Sequence, residues 1–397
     1  MAADAPPEQF DALSSYTYGG SSGCWNGFLV EQANHLISCG QEQLVKSRNE
    51  YMPIKREGVD QELLARVEAL GAALRPTPVV RLAHPRLNLF AKLEYHSVVG
   101  SIKDRSAYYM LRDAVRRGVV RRTTTVIESS SGNTAAALAV FCRILGLTFV
   151  PIVDPNIQNH YRGLLESAGA RVVGVNERDE TGGYLKTRLA KVKELLATIP
   201  DAFWTDQYHN PSALAAHYEM TAGGIIASFS SVDYVFIGVG TAGTIAGVSQ
   251  RLKAHFPTVK VVAVDAEGSV IFGQTPRHRY IPGIGSSVVP DLLGHAIIDD
   301  TVQVRELDTI DACHELLREH QILAGGSSGS SYAAIKSYPF SEPNPTVLFL
   351  CADRGTAYMD TVYNPEWVAW RHEQEESPPS SLSCSRELSA SVLVEQP

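Results

Sequence analysis

No stretch of this 397-residue chain is long and apolar enough to span a bilayer. Its opening residues, MAADAPPE, lack both the basic region and the apolar run of a secretory leader. No membrane association is therefore expected. Cysteine is scarce: Cys24, Cys39, Cys142, Cys313, Cys351 and Cys384 are all there are. No CxxC pair and no His/Cys cluster has zinc spacing, so no metal site is expected. Cys142, Cys313 and Cys351 stand among apolar residues and read as small core residues, and a reducing, cytoplasmic compartment is the simplest expectation. Positive charge is in deficit. Thirty-five Lys and Arg against 43 Asp and Glu leave a net charge of −8, which argues against nucleic acid as a partner. The one basic cluster, Arg116, Arg117, Arg121 and Arg122, reads as a helix end and the turn after it. No internal repeat is present.

What remains is a globular composition, 44% hydrophobic and 20% charged, in a chain long enough for two or three domains. Residues 1–71 form an N-terminal extension: about twenty Gly/Ser/Tyr-rich positions, then an amphipathic helical pattern from Trp25 to Arg48. From Val59 onward β-rich runs (87–94, 124–127, 147–153, 171–175, 234–237, 259–264 and 347–351) alternate with helical stretches such as 134–145, 160–169, 184–198, 212–227 and 243–255. This is the α/β pattern of largely parallel sheets covered on both faces. Residues 371–397, rich in Glu, Ser and Pro, read as a disordered tail.

Lys103 stands apart from the other lysines. It follows a Gly-Ser turn and opens a helix whose apolar residues, Ala107, Met110, Leu111, Ala114 and Val115, keep a helical period. Ser101 can cap that helix. An ammonium is disfavoured in a first helical turn, and a neutral lysine amine can form a Schiff base.

Four small-residue loops accompany it. Residues 128–134 follow a strand and open a helix, presenting hydroxyls and backbone N–H groups suited to a carboxylate. Residues 238–244 match G-x-G-x-x-G, with Asp265 about twenty residues on. That pattern suits a nicotinamide dinucleotide, and it would equally cradle a single phosphate. Residues 325–330 precede a helix at 332–336. They also fit a nucleophile elbow, with Ser327 as nucleophile and Asp353 or Asp360 and His372 as partners. The fourth loop, 353–356, directly follows a strand.

The ordered set KLEYHSVVGSIKDRSA, ESSSGNTAAALA, GVGTAGTIAG and GGSSGS resembles the fold-type II pyridoxal-phosphate enzymes, the cysteine synthase and cystathionine β-synthase superfamily, over residues 72–370. Segments 181–204, 263–273, 281–290 and 353–367 resemble most closely the N-(2-amino-2-carboxyethyl)-L-glutamate synthases. That resemblance implies a tryptophan synthase β-subunit-like fold of two three-layer α/β domains with pyridoxal 5'-phosphate between them. The larger domain would comprise 72–96 and 209–370. The smaller, mobile one would span 97–208 and carry Lys103. It implies small amino-acid substrates and a homodimer. The reaction would be β-replacement on O-phospho-L-serine by the L-glutamate amine through an α-aminoacrylate, a step towards 2,3-diaminopropionate for siderophores or peptide antibiotics.

Carried onto this chain, the resemblance makes Lys103 the Schiff-base lysine and Asn133 the donor to the cofactor's phenolic oxygen. Ser130, Ser131, Gly132 and Thr134 would bind the substrate carboxylate. Gly240, Thr241, Ala242, Gly243 and Thr244 would bind the cofactor phosphate, and Ser327 would face the pyridine nitrogen. Many members carry glycine where this chain has Ala242, and a methyl is tolerated there if φ is negative. A dicarboxylate second substrate needs cations, with Arg162, Lys186, Arg188, Arg277, Arg279 and Arg354 as candidates and Arg354 placed first. Tyr184 and His209 lie in or near the same segments. The rival readings are a sulfur nucleophile on the same fold and a nicotinamide-dependent dehydrogenase.

Overall fold

Strand residues alternate between the two faces of a sheet, so a strand apolar at every position must be covered on both sides. The computed structural model, which describes residues 58–180 and 182–376, shows this at the strands that carry the site. A six-stranded sheet has the order β1 (Val79–Leu82), β2 (Asn88–Leu93), β10 (Thr346–Cys351), β7 (Tyr234–Gly238), β8 (Lys260–Ala266), β9 (Asp300–Val304). All neighbours are parallel except β1, which runs antiparallel to β2. Tyr234 and Phe236 of β7 face α9 (Glu306–His320) and α10 (Gly326–Ser337). Val235 and Ile237 face α7 (Ala222–Ile226) and α8 (Gly243–His255).

A second, four-stranded parallel sheet has the order β5 (Val173–Gly174), β4 (Thr148–Val153), β3 (Thr125–Ser129), β6 (Ala202–Trp204). One face packs on α5 (Leu185–Thr198) through Ile127, Ile152 and Val192. The other packs on α3 (Asn133–Leu145) and α4 (Asn159–Ser167), with α1 (Gln61–Ala73) and α2 (Lys103–Arg116) in the same core.

The structure departs from the sequence expectation at particular places. The strands β1, β6 and β9 are absent from the apolar runs read in the sequence. All three are edge strands, which are short and need little apolar surface. The serine-rich segment 325–330 is the start of α10 rather than a loop before a helix at 332, with Ser330 and Ser331 hydroxyls bonding back to the carbonyls four residues earlier. The tail boundary at 371 is wrong. A helix, α11 (Pro365–Glu376), runs through it, and Arg371 is buried against Glu306 at 3.1 Å. The remainder of the expected tail, residues 1–57 with the Trp25–Arg48 pattern, and Cys24, Cys39 and Cys384 lie outside the described residues. Cys142, Cys313 and Cys351 are free and buried.

The stretch expected as one helix over 212–227 contains a π-helical turn at His217–Thr221, between α6 (Pro211–Ala216) and α7. Gly247 of α8 lets that turn approach: a Cβ there would stand 2.3 Å from the Leu214 carbonyl oxygen and 2.6 Å from the Tyr218 nitrogen. Both are backbone atoms that cannot rotate away. Gly247→Ala is therefore expected to destabilise the protein by about 3 kcal/mol, the upper part of the overpacking range, read as a lowered denaturant midpoint at unchanged m-value.

Candidate active site

Three strand ends open onto one cleft. The loop that delivers Lys103 is fixed first. Asp104 accepts the Val99 and Gly100 N–H groups at 2.7 and 3.3 Å, and Gly100 takes φ +110°, a glycine conformation. The Ser101 hydroxyl accepts the Lys103 N–H at 3.2 Å. The Ile102 N–H donates to the Ala352 carbonyl at 2.7 Å, and Ser101 forms an isolated β-bridge with Asp353, so the loop is stapled to the chain leaving β10. Lys103 Nζ then lies 3.5 Å from Thr241 Oγ1 of the loop after β7. Burial pushes the Lys103 amine below the ordinary lysine range, and the Asp353 carboxylate partly opposes that.

The cleft, about 550 Å³, is lined by Lys103, by Ser130 to Thr134, by Gly240, Thr241, Ala242 and Thr244, and by Ser327. Gly243 lies beneath it as the first residue of α8, against Ala213 and Leu292. In the loop after β3, the Ser130 hydroxyl accepts the Ala135 N–H, and the Ser131 hydroxyl donates to Asp154 while receiving Arg188 Nη1 at 3.0 Å. Thr134 donates to Gln207 Oε1 at 2.7 Å. Below this loop Glu128 is buried. Its carboxylate accepts from Thr205 and from the Ser129 and Gln207 N–H groups, yet burial outweighs them and raises its pKa to about 7.

The condition under which a methyl at Ala242 would be tolerated is not met. Its φ is +61°, in the left-handed region. The methyl is carried at a steric cost because the loop must turn sharply from β7 into α8.

Of the six cations proposed for a second substrate, the structure brings Arg188 and Arg279 to the cleft. Arg354, placed first, is not there: it is exposed, its guanidinium 5.0 Å from the Tyr95 ring centroid. Lys186 pairs with Glu180 on the surface, and Arg162 and Arg277 are exposed outside the cleft. Tyr184 stacks on Arg178, and His209 bonds Asp206; neither lines the cleft. Asp265 is buried at the end of β8 with its Oδ1 on the Ala266 N–H, and it does not line the cleft. His372 lies exposed on α11, outside the cleft that holds Ser327, which leaves the nucleophile-elbow reading without its histidine. Sequence reasoning missed Tyr161, Gln207, Tyr208 and Asp154, which stand in no motif and reach the cleft by packing. In the sequence Asp353 reads as part of a loop and as a candidate partner of Ser327, not as a partner of Asn133.

The residues present suit pyridoxal phosphate. A lysine amine held towards its neutral form stands beside a hydroxyl- and glycine-lined loop at the N-terminus of a 13-residue helix, a phosphate-binding arrangement, with a second anion cradle opposite. Residues 71–352 match the family of pyridoxal-phosphate dependent enzymes, and the chain belongs to it. The fold is accordingly the fold-type II, tryptophan synthase β-subunit-like α/β architecture. The chain is similar to an O-acetylserine-dependent cystathionine β-synthase from Helicobacter pylori at 27% identity (74% of this chain, 97% of that one, TM-score 0.68). It is also similar to an O-ureido-L-serine synthase at 28% (75% and 95%, TM-score 0.68). A hydrogen sulfide-producing enzyme, solved as a complex with an α-aminoacrylate intermediate, matches at 25% (76% and 92%, TM-score 0.70). Among the described residues no helix is long and apolar enough to cross a membrane.

Two outcomes follow from this geometry. Ala242→Gly removes the left-handed strain and is expected to raise stability by roughly 0.5–1 kcal/mol without weakening cofactor binding, measurable by thermal unfolding and cofactor titration. Glu128 holds its proton in the folded state up to about pH 7, whereas an ordinary glutamate releases it near 4.5. The folded state thus binds more protons between those values, and stability falls as pH rises through that window. Glu128→Gln is expected to flatten the fall in a urea-unfolding series across pH.

Proposed function

We propose that this protein catalyses β-replacement joining O-phospho-L-serine to L-glutamate, giving N-(2-amino-2-carboxyethyl)-L-glutamate and phosphate, a step towards 2,3-diaminopropionate. The observation that carries the reading is the pair of guanidiniums in the cleft. Arg188 and Arg279 stand there in addition to the phosphate loop and the α-carboxylate cradle. Arg188 Nη1 is paired with Asp154 at 3.2 Å, and among the described residues its buried Nε has no hydrogen-bond partner. A sulfide nucleophile requires no cation; a dicarboxylate amine does.

Pyridoxal phosphate, when bound, supplies the aldehyde carbon that Lys103 engages and a conjugated ring that draws electrons from the substrate α-carbon. The chain's own residues do the rest. Ser130, Ser131 and Thr134, with the N-terminal N–H groups of α3, receive the α-carboxylate of phosphoserine and fix its orientation. The Lys103 amine, kept towards its neutral form by burial, takes the proton from the α-carbon and returns it after the new bond has formed. Asp353 steadies the ammonium in between. Ser327, which lines the cleft, would offer a neutral hydroxyl to the ring nitrogen. That leaves the ring a weaker electron sink, which suits elimination and replacement over transamination. Arg188 and Arg279 bind the carboxylates of the incoming glutamate. A homodimer of small-molecule specificity is part of the same proposal.

The likeness to sulfur-handling enzymes favours one second reading, replacement by a thiol or sulfide on O-acetylserine, phosphoserine or serine. Mass spectrometry of products from phosphoserine with glutamate, sulfide or homocysteine decides between them; turnover with the sulfur nucleophiles alone would remove the first reading. Arg279→Gln is expected to raise KM for glutamate about 10- to 100-fold, the loss of one charge-assisted contact of about 1.5–3 kcal/mol. Phosphate release from phosphoserine alone should stay near the wild-type rate.

A further inference from the structure

Asn133, the first residue of α3, is held at both ends of its amide. Its Oδ1 accepts the Tyr161 hydroxyl at 2.7 Å, and its Nδ2 donates to Asp353 Oδ2 at 2.7 Å. The same carboxylate oxygen accepts the Tyr358 hydroxyl at 2.9 Å. Burial raises the Asp353 pKa, but its Oδ2 already accepts the Tyr358 hydroxyl and so faces the amide as an acceptor, which dictates which end of the amide meets it. An amide nitrogen carries two N–H groups. With one on Asp353, the other is left over at a residue that lines the cleft. Asp353 is itself immobilised. It is 3% exposed, and its Oδ1 lies so close to Gly325 that a Cβ there would stand 1.9 Å away. These three side chains come from two parts of the fold: Tyr161 from α4 beside the four-stranded sheet, Asp353 and Tyr358 from the chain that leaves β10 of the six-stranded sheet.

We propose that Asp353, assisted by Tyr161, is a positioning residue that locks the Asn133 amide with one N–H free to donate into the cofactor cleft. The acceptor it would serve is the phenolic oxygen of pyridoxal phosphate. The proposal rests on the cofactor class and not on the identity of the second substrate. An asparagine without these partners can turn its carbonyl to the cleft, and the phenolate would then meet an acceptor instead of a donor.

The test uses the full-length holoenzyme without substrates. It reads the ratio of the long- to short-wavelength cofactor absorption bands and the cofactor Kd, for Asp353→Asn, Tyr161→Phe, Asn133→Ala and the double variant Asp353→Asn with Asn133→Ala. Asp353→Asn removes the charge that dictates the amide orientation while keeping the shape. It is expected to shift the band ratio in the same direction as Asn133→Ala and to weaken cofactor binding about tenfold. Tyr161→Phe is expected to shift the ratio the same way by a smaller amount. In the Asn133→Ala background Asp353→Asn should leave the cofactor Kd unchanged and shift the band ratio by less than it does alone, the remainder being the loss of its charge beside Lys103. A wild-type band ratio in folded Asp353→Asn overturns the proposal. So does an equal shift in the Asn133→Ala background, because Asp353 would then act on the cofactor by another route. If Asp353→Asn fails to fold, an unchanged ratio in Tyr161→Phe overturns it alone. A wild-type protein without any cofactor band would instead count against the cofactor assignment.

Discussion

The placement of Lys103 depends on a buried ion cluster two residues further along its helix. Arg105 Nε meets Glu94 Oε2 at 2.6 Å, and Lys92 Nζ lies 3.5 Å from Glu94 Oε1, all at or near zero exposure. Thr77 completes the cluster: its hydroxyl donates to Glu94 and accepts from Arg105, and its carbonyl accepts from Lys92. Burial pushes the Lys92 amine down, and the Glu94 carboxylate pulls it back. Three charges out of water are held only because every one is paired, and removing a single partner from such a group typically costs about 3–5 kcal/mol. The cluster ties the first turn of α2 to the end of β2. The helix cannot slide or rotate without unpairing a buried charge, and the lysine at its start stays at the mouth of the sheet.

A second constraint shapes the opposite rim. Glu306, at the start of α9, accepts the Tyr280 and Ile281 N–H groups at 2.5 and 2.8 Å and is paired with Arg371 of α11. The segment it holds carries Arg279, whose guanidinium also donates to the Gly268 carbonyl at 2.6 Å. The cation expected to meet a second substrate is thus set by residues about 27 and 92 positions away in sequence. Chemistry on this scale needs reacting groups placed to within a fraction of an ångström, and rigid supporting contacts achieve that.

Much of the site was legible because its local chemistry is forced. Binding a phosphate or carboxylate at a helix N-terminus requires small residues and hydroxyls in a short span, so the loops at 130–134 and 240–244 announce themselves. The buried strands announce themselves too, since a run such as YVFI has no polar face to present to water. Arg354 shows where this stops. It sits beside a cleft loop in sequence, yet the chain turns there and aims it outward over Tyr95. Ala242 shows a second boundary, because a residue type does not reveal its φ.

By itself the sequence determined the alternation of strands and helices, the lysine and the anion cradles, because each is a local pattern of residue size, polarity and period. Only the tertiary structure decided which arginines face the cleft, that Asp353 and Tyr161 grip Asn133, and that residues up to Glu376 continue as helix. Those contacts join positions tens to hundreds of residues apart. Their energies arise from burial and pairing in the assembled fold, which no local stretch of chain possesses.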